Sequence, residues 1–195
     1  MMNMVERIRT FIAIDIVDNS ILDKIVSVQR DLSSCNARLK LVKRENIHLT
    51  LRFLGEITPL LLEDVRKIVE KIEYNSFKIT LSGLGAFPSS SNPRVIWIGL
   101  SEGAKHAENI FNFLENELKR IGFRPEPKGF SPHITIARVK YGDRRCLSKI
   151  INKNINTFFG SMQVTSINLK KSTLTSTGPI YETLYSKKLV NTEFY

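Results

Sequence analysis

Cysteine is scarce in this 195-residue chain: only Cys35 and Cys146 occur, with no Cys-x-x-Cys pair. That excludes a cysteine-built zinc site and a disulfide-framework scaffold, and leads to the expectation of two reduced thiols. Long apolar runs are also missing. Nothing approaches the roughly 20 residues that span a bilayer, and Met1 to Thr10 lacks the apolar segment of a signal peptide, so no membrane partner and a cytoplasmic location are expected. The chain has no His-Glu-x-x-His, no Gly-x-Ser-x-Gly and no Gly-Lys-Ser or Gly-Lys-Thr. These absences argue against a metalloprotease-type zinc site, a serine-hydrolase elbow and a nucleoside-triphosphate loop. The expectation is therefore chemistry with no metal and no cofactor.

Acidic residues are in short supply as well. Asp and Glu number 19 against 29 Lys and Arg, a formal net charge of +10. The basic residues gather around Lys40, Lys43 and Arg44, around Lys119, Arg120, Arg124 and Lys128, and from Arg138 through Lys153. A polyanion such as nucleic acid is a natural partner for such patches, although a merely soluble surface also carries charge. The 42% hydrophobic and 25% charged fractions are those of an ordinary globular domain.

Histidine is rarer still, at three residues, and two of them head the same phrase: His48-Leu49-Thr50-Leu51 and His133-Ile134-Thr135-Ile136, 85 residues apart. Each phrase alternates polar and branched apolar residues, the period of a half-buried strand, so His and Thr share one face and Leu or Ile the other. The repetition extends outward. Arg9 to Ile14 and Arg94 to Gly99 read as strands, each beginning 39 residues before its histidine. Amphipathic helices follow over Asn19 to Leu32 and Gly103 to Ile121. A second helix in each half opens at a capping residue, Thr58 before Pro59 and Asp143. The closing strands are Phe77 to Leu84 and Gln163 to Lys170, and an extra strand covers about 180–189. Gly83 to Asn92 and Pro125 to Gly129 read as rim loops.

The fold class expected is therefore α/β (α+β): one bilobal domain over 1–195, with pseudo-repeat halves at about 8–87 and about 94–172. Two pseudo-symmetric, antiparallel-rich sheets carry helices on their outer faces and enclose a central cleft where the histidines meet. One lone His on a strand is usually a packing or surface residue. Packing is indifferent to imidazole, however, so two identical phrases at matching offsets point to chemistry. The third, His106, lies off the apolar stripe of its helix and reads as solvated.

The paired His-x-Thr-x phrases, together with Arg9-Thr10-Phe11-Ile12-Ala13-Ile14, His48 through Glu56, Arg94-Val95-Ile96-Trp97 and Phe130 through Arg138, resemble the two-histidine (2H) phosphoesterase superfamily. The finer resemblance is to its RNA 2',3'-cyclic phosphodiesterase branch, the LigT-like or ThpR-like 2'-5' RNA ligase family, and runs from about residue 8 to 189. The resemblance implies metal-independent hydrolysis of an RNA 2',3'-cyclic phosphodiester to a 2'-phosphomonoester. Reverse 2'-5' joining of tRNA halves is associated with some relatives. It also implies that His48 donates a proton and His133 accepts one, roles that the symmetry of the sequence alone cannot assign.

Two imidazoles suit such a reaction because one can take the proton of the attacking water while the other supplies the leaving ribose oxygen. Thr50 and Thr135 offer hydroxyls to the phosphoryl oxygens. Arg138 matches a family position for a phosphate-binding cation, but strict alternation turns it away from His133, so its use requires a bulge near Ala137. Arg52 has the parity of His48 and is a further candidate substrate contact. Phe53 alternates to the core, and Phe130 in its loop is a candidate for stacking on a base. The expected partner is RNA with a 2',3'-cyclic phosphate terminus, bound by a monomer. The rival readings are a noncatalytic RNA-end-binding protein and a phosphodiesterase for a small cyclic nucleotide.

Overall fold

The structure is a computed structural model that describes residues 6–176 and 178–191. Among the described residues, nine strands form two antiparallel sheets. The first has the order β3 (His48–Ile57), β1 (Ile8–Asp15), β8 (Ser166–Thr175), β9 (Gly178–Lys188). The second has β2 (Ala37–Leu41), β6 (His133–Gly142), β5 (Asn92–Glu102), β4 (Phe77–Ser89), β7 (Phe158–Val164). The closing strands are exchanged. β4 leaves the first repeat to pair with β5 of the second, while β8 returns from the second to pair with β1. Each sheet is thus assembled from both repeats, and neither half of the sequence builds a lobe alone.

The helices cross over in the same way. α1 (Asn19–Ser33) and α4 (Arg144–Lys153) pack on the second sheet, whereas α2 (Pro59–Glu70) and α3 (Ala104–Arg120) cover the first. Their starts follow the capping expected from sequence. The Thr58 hydroxyl accepts from Leu61 N at 3.3 Å ahead of Pro59, and Asp143 Oδ1 accepts from Arg145 N and Cys146 N at 2.9 and 3.0 Å. Ile21, Ile25 and Leu32 of α1 and Ala107, Ile110, Leu114 and Leu118 of α3 are buried, as their periodicity requires. All join one continuous apolar core with Leu49, Leu51, Ile134 and Ile136.

Two local expectations fail and one strand has no counterpart in the sequence pattern, each for a definable reason. Gln163 to Lys170 is not one strand but the end of β7 and the start of β8, separated at Thr165. The segment Gly83 to Asn92 is no rim loop. It is mostly strand, because Gly85 leaves room for the Trp97 ring opposite, where a Cβ would come within 2.3 Å of it. β2 went unread because its Arg and Lys leave only Ala37 and Leu39 to meet the core.

The expectation of two reduced thiols is corrected as well. Cys35, just beyond α1, and Cys146, in the first turn of α4, form a disulfide with Cα atoms 5.7 Å apart. Their separation of 111 residues carries no spacing signal. They meet because both helices cover the same sheet.

Candidate active site

The concave faces of the two sheets enclose a cleft of about 630 Å³ into which His48, Thr50, His133, Thr135 and Arg138 all project. The two imidazoles are held in the same way. His48 Nδ1 lies 2.7 Å from the Asn46 carbonyl, and His133 Nδ1 lies 2.7 Å from the Ser131 carbonyl. A carbonyl only accepts, so each Nδ1 carries the hydrogen and each Nε2 is the nitrogen that exchanges a proton; His48 Nε2 accepts from the Thr50 hydroxyl at 2.9 Å. Asn46 is itself buried and donates through Nδ2 to the Pro179 carbonyl at 2.9 Å, which fixes the residue that fixes His48. On the other side, Gln29 Nε2 donates to both the Ile136 and Val42 carbonyls, tying α1 to the second histidine strand.

The bulge required for Arg138 is present. Pairing of β6 with β5 steps from Trp97↔Thr135 to Ile96↔Ala137, leaving Ile136 without a partner, and Arg138 turns into the cleft. β3 carries the same irregularity: pairing with β1 steps from Ala13↔Thr50 to Ile12↔Arg52, leaving Leu51 unpartnered. That reverses two sequence expectations. Phe53 is not core but 54% exposed and part of the cleft lining. Arg52 is turned away from the cleft and buried. Its guanidinium meets Glu115 of α3, Glu126 Oε2 at 3.2 Å, and the Arg124 and Phe53 carbonyls at 2.6 and 2.8 Å. With those donors engaged, Arg52 is a structural tie and not a substrate contact.

Phe130 is also committed elsewhere. Its ring stacks on Phe111 of α3 with centroids 4.7 Å apart, and it does not line the cleft. His106 lies at the surface as expected, yet it is not simply solvated: Tyr74 OH approaches its Nδ1 at 2.9 Å and Phe77 stacks on its ring.

Several lining residues were not singled out from sequence for this site. Phe11, Phe53 and Tyr181 gather on the His48 side, with Tyr181 edge-on to His48 at 5.4 Å. Arg9, Lys40, Lys43 and Lys140 add cations. The first basic cluster gave a signal for Lys40 and Lys43, whereas its third member, Arg44, is diverted to Asp23.

Beside His48, its in-register neighbour Asp15 holds Lys170 Nζ at 2.7 Å and Asn168 Nδ2 at 2.8 Å. His133 has no counterpart: its in-register neighbour is Gly99, and Phe87 and Trp97 flank its ring. Burial pushes the His48 imidazole below its ordinary pKa. The Asn46 carbonyl and the Asp15 charge oppose that shift, and Lys170 and His133 add to it. Burial raises the Tyr181 phenol, against the pull of Arg138 and Arg9.

Among the described residues no cluster of three or more His, Cys, Asp or Glu is arranged to hold a metal ion, and no helix is long and apolar enough to cross a membrane.

The duplicated geometry agrees with the comparisons. The family described as LigT like Phosphoesterase matches the chain twice, over residues 14–97 and 98–181. This chain belongs to that family. Among curated LigT-like relatives, the RNA 2',3'-cyclic phosphodiesterase of Aeropyrum pernix is 38% identical over 167 residues, covering 85% of this chain and 94% of the relative. That of Archaeoglobus fulgidus is 38% identical over 176 residues, covering 90% and 97%. The crystal structure of Escherichia coli LigT in apo form superposes with a TM-score of 0.77 at 26% identity, covering 95% of this chain and 99% of LigT. A further LigT crystal structure is complexed with phosphate and has a TM-score of 0.74 at 25% identity, covering 95% of this chain and 99% of that one.

Proposed function

We propose that this LigT-like phosphoesterase hydrolyses RNA 2',3'-cyclic phosphodiester ends to 2'-phosphomonoesters. The observation that carries the reading is the pair of imidazoles in one cleft, each with Nδ1 tied to the carbonyl two residues before it, which leaves Nε2 as the nitrogen that exchanges a proton, that of His48 lying against the Thr50 hydroxyl. The names of the relatives, RNA 2',3'-cyclic phosphodiesterases, supply the bond.

In the forward direction His133 Nε2 takes a proton from water as its oxygen attacks phosphorus. The bond from phosphorus to the ribose 3' oxygen breaks, and His48 Nε2 delivers the proton that makes the 3' hydroxyl. Thr50, Thr135 and Arg138 hold the nonbridging oxygens, supplying donors where charge develops. When the 5' hydroxyl of a second RNA takes the place of water, the same proton transfers open the cyclic phosphate to a 2'-5' linkage with release of the 3' hydroxyl, and by microscopic reversibility exchanged proton roles return that linkage to the cyclic end and a free 5' hydroxyl.

The test is incubation of an RNA bearing a 2',3'-cyclic phosphate, without metal or ATP, followed by identification of the product phosphate. A 2'-phosphate is expected from the wild-type chain and none from His48→Ala or His133→Ala. Turnover by both variants equal to wild type would overturn the acid–base reading, and binding of the RNA end without turnover by the wild-type chain would leave an RNA-end-binding protein. Turnover of a nucleoside cyclic phosphate with no turnover of the oligomer would select the small-nucleotide reading.

A further inference from the structure

The cations of the cleft continue outward along one ribbon. In β2, Ala37 and Leu39 pack against the core, so Arg38 and Lys40 share the opposite face, on which Lys40 lines the cleft. Lys40 pairs in register with Arg138, and Arg38 pairs with Tyr141, which is 63% exposed. Lys140, the residue skipped between those pairs, also lines the cleft.

None of Arg38, Lys40, Arg138 and Lys140 is in an ion pair among the described residues. Some cations remote from this face are neutralised, as Arg66 is by Glu63 and Lys105 by Glu108, and what sets the ribbon apart is that its unpaired cations are continuous with the cleft. The far end of the ribbon is pinned. Gly142 packs so closely on Ala37 that a Cβ would lie 2.4 Å from its Cα, Asp143 N donates to the Asn36 carbonyl at 2.8 Å, and the Cys35–Cys146 disulfide follows.

We infer that the β2–β6 ribbon is the docking surface for the RNA strand upstream of the reacting terminus, with Lys40, Lys140 and Arg38 on its phosphates and Tyr141 under one of its bases. Tyr141 stands six residues beyond Thr135, on the order of 15–20 Å of bulged strand. A single nucleotide whose phosphate lies between the histidines does not reach it, whereas a chain leaving the site by its 5' side passes over it. Unpaired cations bordering an exposed aromatic ring are the general arrangement for single-stranded nucleic acid: charge tracks the backbone and a ring stacks a base of any identity. The rigid ribbon presents both without an ordering cost at binding.

The inference rests on the proposed hydrolysis of RNA ends, and the experiment separates the two. Arg38→Ala/Tyr141→Ala is compared with wild type and with Lys105→Ala, a remote single-charge control. Hydrolysis of a nucleoside 2',3'-cyclic phosphate and of a ten-nucleotide RNA with the same terminus is measured alongside anisotropy of that RNA carrying a 2'-phosphate. The double variant is expected to raise KM for the oligomer and weaken its binding by about tenfold or more, with a shallower salt dependence, while turnover of the cyclic nucleotide stays unchanged. Oligomer KM and affinity equal to wild type would overturn the ribbon, as would an equal loss on both substrates. Wild-type protein that hydrolyses neither substrate would overturn the reaction, and anisotropy would then decide the ribbon alone.

Discussion

Phe53 and Arg138 occupy equivalent places, each five residues beyond its histidine, and the same irregularity turns both into the cleft. The repeat therefore delivers an aromatic ring beside one imidazole and a guanidinium beside the other. Arg138→Ala removes a cation from the charge developing on phosphorus and is expected to lower kcat by about 10²-fold, in the range for loss of one preorganised donor. Phe53→Ala is expected to raise KM with kcat little changed, since a ring supplies binding common to ground and transition states. Steady-state kinetics of the two variants on one cyclic-phosphate substrate separates them, and a kcat loss in Phe53→Ala equal to that in Arg138→Ala would contradict the division.

The legibility of these residues follows from the same bulges. His48, Thr50, His133 and Thr135 were readable because alternation holds from each histidine to its threonine. Beyond that point a single unpaired residue inverts parity. Strict alternation carried through Leu51 turns Arg52 toward the substrate and Phe53 toward the core, the reverse of where the irregularity places them. Arg138 escapes the same error only because the family resemblance assigns it to the phosphate, which in turn requires an irregularity near Ala137. The strand exchange was invisible for another reason: local pattern specifies that β4 and β8 are strands, not which sheet edge they join. The Asp15–Lys170 contact and the disulfide join residues more than 100 positions apart, and no periodicity links them.

Arg52 has a measurable structural role. It is 8% exposed and faces Glu115, which is 17% exposed and also accepts from Glu126 N at 2.8 Å. Arg52→Met would leave that carboxylate without its guanidinium. Breaking a buried pair from one side costs about 3–5 kcal/mol, because the remaining charge keeps its desolvation penalty. Urea unfolding is the measurement, and Arg52→Met/Glu115→Leu is expected to regain part of the loss. A wild-type midpoint for Arg52→Met would remove the tie. So would a loss of substrate affinity without any loss of stability.

The Cys35–Cys146 bond joins the exit of α1 to the entry of α4 across 111 residues. In the chain-entropy account, closing a loop of that order restricts the unfolded chain by about 4–5 kcal/mol. Cys35→Ala/Cys146→Ala is expected to lower stability by several kcal/mol while leaving turnover of a small cyclic phosphate intact, since neither cysteine lines the cleft. Calorimetry with a parallel activity assay checks both. A double variant as stable as the oxidised wild type would mean that the bridge contributes nothing to stability.

The acid–base assignment has a pH signature. Burial lowers the His48 pKa from 6.5, so in the free protein its imidazole is mostly neutral at pH 7. A proton donor must be charged when it acts, and the phosphate anion supplies the missing stabilisation: bound beside His48, it favours imidazolium and raises the pKa. The sign follows by linkage. Phosphate binding takes up a proton, so affinity weakens as pH rises above the free-protein pKa and stops weakening above the bound-state pKa. NMR titration of the His48 ring should give a midpoint below 6.5 alone and a higher one with saturating inorganic phosphate. In kinetics, one limb of the kcat/KM bell should lie below 6.5, and in the kcat profile, which reports the bound enzyme, that limb should move to higher pH. A His48 midpoint unmoved by phosphate would separate this imidazole from the phosphorus atom, and with it the proton transfer on which the proposed reaction depends.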